Sequence, residues 1–231
     1  MSTIFVTASG TEIGKTFVTC ALVYQLRKRG YGVRALKPVA TGVTSDTLDT
    51  SDSGILLRAL GRPIDRGQAA GVSPWRYREP LSPDMAAERE GRAIPFDELV
   101  AFCHEDAGED VTLIEGIGGV MVPLDPLHTV LDWIAALQAP ALLVTGSYLG
   151  TLSHTLTAAG MLRARNVKLA GIVVNESEAQ PVAPEETADV ISRFAADVPV
   201  QVVGRLDAPE SAPNLLPLLD PYLPHSRRTA P

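Results

Sequence analysis

A single α/β domain, built on a mostly parallel sheet with helices on both faces, is the fold this sequence predicts. Short, near-continuous apolar runs recur along it, and helical patterns separate most of them. A glycine-bearing segment also follows the first run directly, as when a strand hands over to a ligand-binding loop and a helix.

The apolar runs are IFVTA from Ile4, VRALK from Val33, VTLIE from Val111, ALLVTG from Ala141, LAGIVVN from Leu169 and VQVVG from Val200. The intervening segments 17–29, 48–60, 96–104, 130–137, 152–165 and 185–196 carry amphipathic helical patterns. Strands that are apolar throughout are strands covered on both faces, which requires right-handed crossovers and places ligands at their carboxyl ends. Segment 61–95 interrupts the alternation with Pro63, Pro74, Pro80, Pro83 and Pro95 and reads as a long excursion beside the site. A surface loop without a role is the competing reading. Residues 1–220 are expected to form the domain, with 221–231 as a flexible tail.

A chain of 231 residues that is 45% hydrophobic can bury one large core. Its net charge of -7 offers no broad basic field for phosphate backbones or anionic lipid, so neither nucleic acid nor a membrane is an expected partner. No apolar run approaches the roughly 20 residues of a membrane span. Cys20 and Cys103 lie far apart without the neighbours a zinc site needs and read as buried thiols. The opening MSTIFVTAS enters a strand pattern at once, so a reducing cytoplasm is the expected location.

The strongest local signal is SGTEIGKT, Ser9 to Thr16, between the first strand and the first helix. Gly10 and Gly14 allow close backbone approach, so that successive N–H groups converge on phosphate oxygens at the positive end of a helix. Lys15 is placed to reach β- and γ-phosphates and the Thr16 hydroxyl to ligate Mg²⁺, the arrangement of a P-loop. Ser9 stands where the usual motif has glycine, and a merely capped helix start is the bland alternative.

A P-loop needs an acidic group at the end of a neighbouring strand, and VTLIE delivers Glu115 there. Gly116, Ile117, Gly118 and Gly119 then let backbone approach a ligand; a turn cap is the other reading of Glu115. Asp52 in TSDSG offers a second carboxylate or an N-cap. Lys37 ends the second strand, where Pro38 turns the chain away, and either points into the site or is an idle surface lysine. Thr41 and Gly42 follow in a loop able to contact a substrate anion. Asn175 ends its strand with an amide that can read a nucleobase edge or form a turn. LGTLSHT, Leu149 to Thr155, is another glycine-bearing helix start, with His154 either catalytic or packing.

Together these segments resemble the dethiobiotin synthetase family from the first strand to about Gly204. The family's GTDTxVGKT appears here as SGTEIGKT preceded by Ala8, its KPVxSG as KPVATG and its EGAGG as EGIGG. Its EPxSPHxAA appears as EPLSPDMAA and its LGxxNHT as LGTLSHT. Ala8, Gly10, Ile117, Asp84 and Ser153 depart from those patterns, and Arg205, Leu206 and Asp207 replace the family's GxIP continuation after Gly204.

The resemblance implies ATP-dependent ring closure of 7,8-diaminononanoate with CO₂, supplied as bicarbonate, through a carbamate that ATP phosphorylates. It implies Lys37 and Lys15 as catalytic residues. Thr11, Glu12, Ile13, Gly14, Lys15, Thr16, Phe17, Asp52, Glu115, Gly116, Ile117, Gly118 and Asn175 would contact nucleotide and Mg²⁺, the metal lying among Thr16, Asp52 and Glu115. Thr41 would contact the substrate, as would Gly150, Thr151, Leu152 and Ser153 across the interface of a homodimer.

Three other classes compete. A switch ATPase of the Min or Par type would carry an extra lysine early in the loop, where Gly10 stands here. A P-loop small-molecule kinase, or a ligase on the same sheet, would have an arginine-rich lid, for which Arg76, Arg78, Arg89 and Arg92 are the candidates. A non-catalytic nucleotide module leaves Lys37 and Thr41 without a task.

Overall fold

The structure, a computed structural model, describes residues 2–224. Its main sheet has six strands in the order β2-β5-β1-β6-β7-β8. These are β1 (Ser2–Ala8), β2 (Val33–Leu36), β5 (Val111–Glu115), β6 (Ala141–Thr145), β7 (Leu169–Asn175) and β8 (Val200–Val203). Each neighbouring pair is parallel. All six apolar runs became strands of this sheet.

Burial on both faces explains why those runs show no polar alternation. Along β1, Ile4, Val6 and Ala8 join one apolar cluster while Phe5 joins the other. On β6, Leu142 and Val144 face the first cluster and Ala141 and Leu143 the second. The first is closed by α1 (Lys15–Lys28), α2 (Asp52–Ala59) and α3 (Arg66–Val72). The second is closed by α4 (Pro83–Arg89), α5 (Phe96–His104), α6 (Val130–Leu137), α7 (Thr151–Ala164) and α8 (Pro184–Phe194). Trp133 of α6 sits edge-on to Phe5, with ring centroids 4.8 Å apart.

Two sequence expectations need correction. The helix expected over 48–60 is split: Leu48–Thr50 is a short 3₁₀ turn, and Ser51, not Asp52, caps α2 by accepting from the Gly54 N–H at 3.3 Å. Asp52 is the first residue of that helix, which frees its carboxylate for other contacts. The excursion 61–95 is also more structured than its prolines suggest. It holds α3, α4 and the strand β4 (Trp75–Arg76), which pairs in parallel with β3 (Val39–Ala40). Pro83 starts α4 rather than breaking it, since the first helical turn needs no donor from that nitrogen.

Part of the stretch expected to be a flexible tail is held against the body. Tyr222 and Leu223 pack on the α1–α3 cluster, the Ser2 hydroxyl bonds the Tyr222 carbonyl, and the Tyr31 hydroxyl donates to the Pro224 carbonyl at 3.1 Å. Residues 225–231 lie outside the described region. Just upstream, Gln25 of α1 accepts from the Leu215 N–H at 2.8 Å and donates to the Pro213 carbonyl at 2.9 Å. Leu215, Leu216, Leu218 and Leu219 are buried there. Among the described residues no helix is long and apolar enough to cross a membrane.

Leu219→Ala should therefore lower the urea unfolding midpoint, with a loss of about 2–5 kcal/mol, because the cavity opens in the main core. An unchanged midpoint would mean that this segment lies outside the cooperative unit.

Candidate active site

The loops after β1, β2 and β5 emerge side by side because these strands are neighbours in the sheet, although they are distant in sequence. They bring Lys15, Lys37, Asp52 and Glu115 to one cleft of about 710 Å³. Thr11, Glu12, Ile13, Gly14, Thr16, Thr41, Ile117 and Gly118 line it as well.

The phosphate loop is held by packing at both ends. Ser9 donates its N–H to the Val144 carbonyl at 3.0 Å, and its hydroxyl meets that of Thr145 at 2.9 Å. Gly14, at φ 89°, caps α1 in the left-handed region, and a Cβ there would stand 2.2 Å from Asn175 Nδ2. The same Asn175 amide donates to the Ile13 carbonyl at 3.3 Å. Glu12 also has a positive φ, 56°, unusual for a residue with a side chain. Lys15 reaches back to the Gly10 carbonyl at 3.1 Å.

Four charges meet beyond the loop. Lys37 Nζ lies 2.7 Å from Glu115 Oε1, 2.9 Å from Asp52 Oδ2 and 2.9 Å from the Gly116 carbonyl, so its three protons are all engaged. With Lys37 2% and Glu115 0% exposed, neither charge could stay buried alone; the deficit would be several kcal/mol. Burial by itself would depress the Lys37 pKa, but Glu115 and then Asp52 outweigh it and hold the ammonium above its ordinary value. For Asp52, burial pushes upward and the Lys37 charge prevails, keeping the carboxyl below its ordinary range. Lys15 goes the other way: burial first, then repulsion from Lys37, lower its pKa to about 8.

The Thr16 hydroxyl lies 2.8 Å from both Asp52 Oδ1 and Glu115 Oε1, yet it has a single proton to give. Glu115 Oε2 is buried with no hydrogen-bond partner among the described residues. A hydroxyl between two carboxylates beside an orphaned carboxylate oxygen suits a hard divalent cation. Thr16, Asp52 and Glu115 are the residues that could hold one.

A family model described as an AAA domain matches residues 2–212. The protein named ATP-dependent dethiobiotin synthetase BioD in Acidiphilium cryptum (strain JF-5) is 50% identical over 205 residues, which cover 87% of this chain and 92% of that relative. This chain belongs to the dethiobiotin synthetase family. A relative of the same name in Caulobacter sp. (strain K31) is 43% identical over 227 residues, covering 96% of this chain and 97% of its own. The MinC:MinD complex of Aquifex aeolicus superposes with a TM-score of 0.55 over 90% of this chain and 83% of that one, but at 13% identity the likeness extends to the fold alone.

Other residues suggested by the family pattern lie elsewhere. Phe17 is half-buried against the α1–α3 cluster and does not line the cleft. Gly116 contributes its carbonyl to Lys37, and its N–H donates to the Val6 carbonyl at 2.9 Å. Gly150 starts α7 at φ 98°, away from the cleft lining of this chain. Thr151 is buried with its hydroxyl on the Gly146 carbonyl at 2.7 Å, Leu152 packs on the core and Ser153 is exposed. His154 meets the Tyr148 hydroxyl at 2.8 Å. Pro80, Leu81, Ser82, Pro83 and Val122 line the cleft without having been selected from the sequence. The EPLSP match was the available signal for the first four. Of the arginines that suggested a kinase lid, none lines this cleft.

The depressed Lys15 pKa predicts a pH-dependent cost. In the ligand-free protein, the folded state disfavours the ammonium form fully below pH 8, and the cost fades as pH rises from about 8 toward the unfolded value of 10.5. Lys15→Met should accordingly stabilise the protein at pH 7 by about 3 kcal/mol, with the gain shrinking above pH 8. Chemical denaturation at pH 7, 8.5 and 10 checks this, and a gain that grows with pH would contradict it.

Proposed function

We infer that this chain is an ATP-dependent dethiobiotin synthetase that closes a cyclic urea on 7,8-diaminononanoate with CO₂. The observation that carries the reading is the convergence of Lys15 and Lys37 on one cleft with Asp52 and Glu115, in a chain of that family. A carbamate and a triphosphate repel each other, and two ammonium groups in a partly dry cleft offset that repulsion.

The chemistry proceeds in three steps. One amine attacks CO₂ and loses a proton, giving a carbamate anion. A carbamate oxygen then takes the γ-phosphoryl group and ADP leaves. Finally the second amine attacks the carbamoyl carbon and gives up a proton, and phosphate departs as the ring closes. No covalent enzyme intermediate is required, so the protein contributes positioning and charge.

Placement in the cleft supports the following roles. Backbone N–H groups from Thr11 to Thr16 cradle the triphosphate at the start of α1, and Lys15 neutralises its terminal oxygens. Lys37 steadies the carbamate and the phosphoryl group in flight. In the ligand-free chain its protons are spent on Asp52, Glu115 and Gly116, so these acceptors hold it pointed into the cleft before substrate arrives. Mg²⁺, held by Thr16, Asp52 and Glu115, would supply further positive charge to the phosphate oxygens. Thr41, which also lines the cleft, contacts the diamine. The α7 start at Gly150 to Ser153 lies outside the cleft of its own chain, consistent with use by a neighbouring subunit of a homodimer.

The decisive assay mixes the protein with the diamine, bicarbonate, Mg²⁺ and ATP and weighs the product. A mass gain of one carbonyl bridge with no retained phosphate is expected, whereas a phosphorylated diamine would identify a kinase instead. Lys15→Ala and Lys37→Ala should each lower turnover at least about a hundredfold, the scale of removing one preorganised charge from a transition state, measured at a temperature where circular dichroism shows each variant folded, since Lys37→Ala also leaves Glu115 buried without its partner. ATP binding should also take up protons at pH 8, about half a proton per site, because the triphosphate restores Lys15 to its ammonium form. Calorimetry in buffers of different ionisation enthalpy measures this uptake, which Lys15→Ala should abolish.

A further inference from the structure

Arg66, Arg76, Arg78 and Arg92 gather in a second cleft, of about 580 Å³, that shares no residue with the nucleotide cleft. Glu90 is the one acidic residue in its lining, so guanidinium charge there exceeds carboxylate charge by three. That local excess stands out in a chain whose net charge is -7. Glu90 is already committed: it accepts from the Arg78 N–H at 2.5 Å and lies 3.3 Å from Arg92. Among the described residues Arg66, Arg76 and Arg78 form no ion pair.

Two of these side chains are fixed in place. Arg92 lies over the Tyr77 ring, 4.5 Å from its centroid, and donates to the Arg76 carbonyl at 2.6 Å. Arg76 is half-buried in β4 and donates to the Ser73 carbonyl at 2.5 Å. Burial first, and the Arg92 charge second, pull its pKa below the ordinary value, as happens when like charges are held together without a counter-ion. The remaining wall is the segment carrying Val43, Thr44, Ser45 and Leu48.

Arg76, ordered and without a carboxylate partner, and the unpaired guanidinium groups of Arg66 and Arg78 beside it match phosphoryl oxygens, which can accept two parallel N–H donors from an arginine. An excess of three charges calls for an anion with at least two of its own. We propose that this cleft binds a compact phosphate-class anion, a pyrophosphate or a phosphate ester, at a site separate from the nucleotide cleft. The wall segment lies in sequence between Thr41 and Asp52, both of which line the nucleotide cleft, so an occupant would brace the loop that carries them.

The test is calorimetric titration of inorganic pyrophosphate into protein saturated with a non-hydrolysable ATP analogue, at constant free Mg²⁺, so that the phosphate loop is filled. One further binding event is expected, weakening as KCl rises. Arg66→Gln/Arg78→Gln, at two exposed positions, should weaken it about tenfold or more. An unchanged urea midpoint confirms that this variant is folded. Orthophosphate should bind the same site more weakly. No binding event on the analogue-saturated protein, equal affinity in the double variant, or equal affinity for malonate would each overturn the proposal.

Discussion

The pairing of Lys37 with Asp52 and Glu115 is the constraint around which the functional half of the molecule is arranged. An ammonium this deeply buried needs acceptors for every proton, and it finds them on α2, at the end of β5 and on the Gly116 backbone. Those acceptors belong to segments that meet only because β2, β5 and β1 are adjacent. The cluster thus links the sheet order to the chemistry. With Lys15 in the same cleft two ammonium groups face two carboxylates, and a phosphate-bearing substrate changes that balance.

Lys15 and Lys37 share the cleft but are held by opposite means. Lys37 is over-provided with negative partners and stays charged. Lys15 is buried, with a like-charged neighbour and only a backbone carbonyl to accept from it, so its proton is loosely held until a triphosphate arrives. This difference suits a site that must accept an anion: one ammonium fixes the geometry of the cleft, and the other gains most of its stabilisation on binding. At the start of α1 the close approach of Asn175 to Gly14 leaves no room for a side chain.

The arginines of segment 61–95 show how position alters the meaning of a composition. Read along the chain, they suggest a lid over a phosphate. In the fold, the β3–β4 pair and the start of α4 direct Pro80 to Pro83 to the nucleotide cleft, while Arg76, Arg78 and Arg92 turn to another. One segment therefore borders two clefts of different character.

The sequence by itself determined the six strands, most of the helices and the residue types of the phosphate loop, since periodicity, glycine placement and strand-end charges are local properties of the chain. The motif matches likewise lay in short contiguous stretches. Only the tertiary structure decided that Asp52 faces Lys37 rather than capping its helix, that Val122 lines the cleft, and that Gly150 to Ser153 do not line it in their own chain. These depend on which segments become neighbours across some 15 to 100 residues of chain, a matter of strand order and packing that no local pattern encodes.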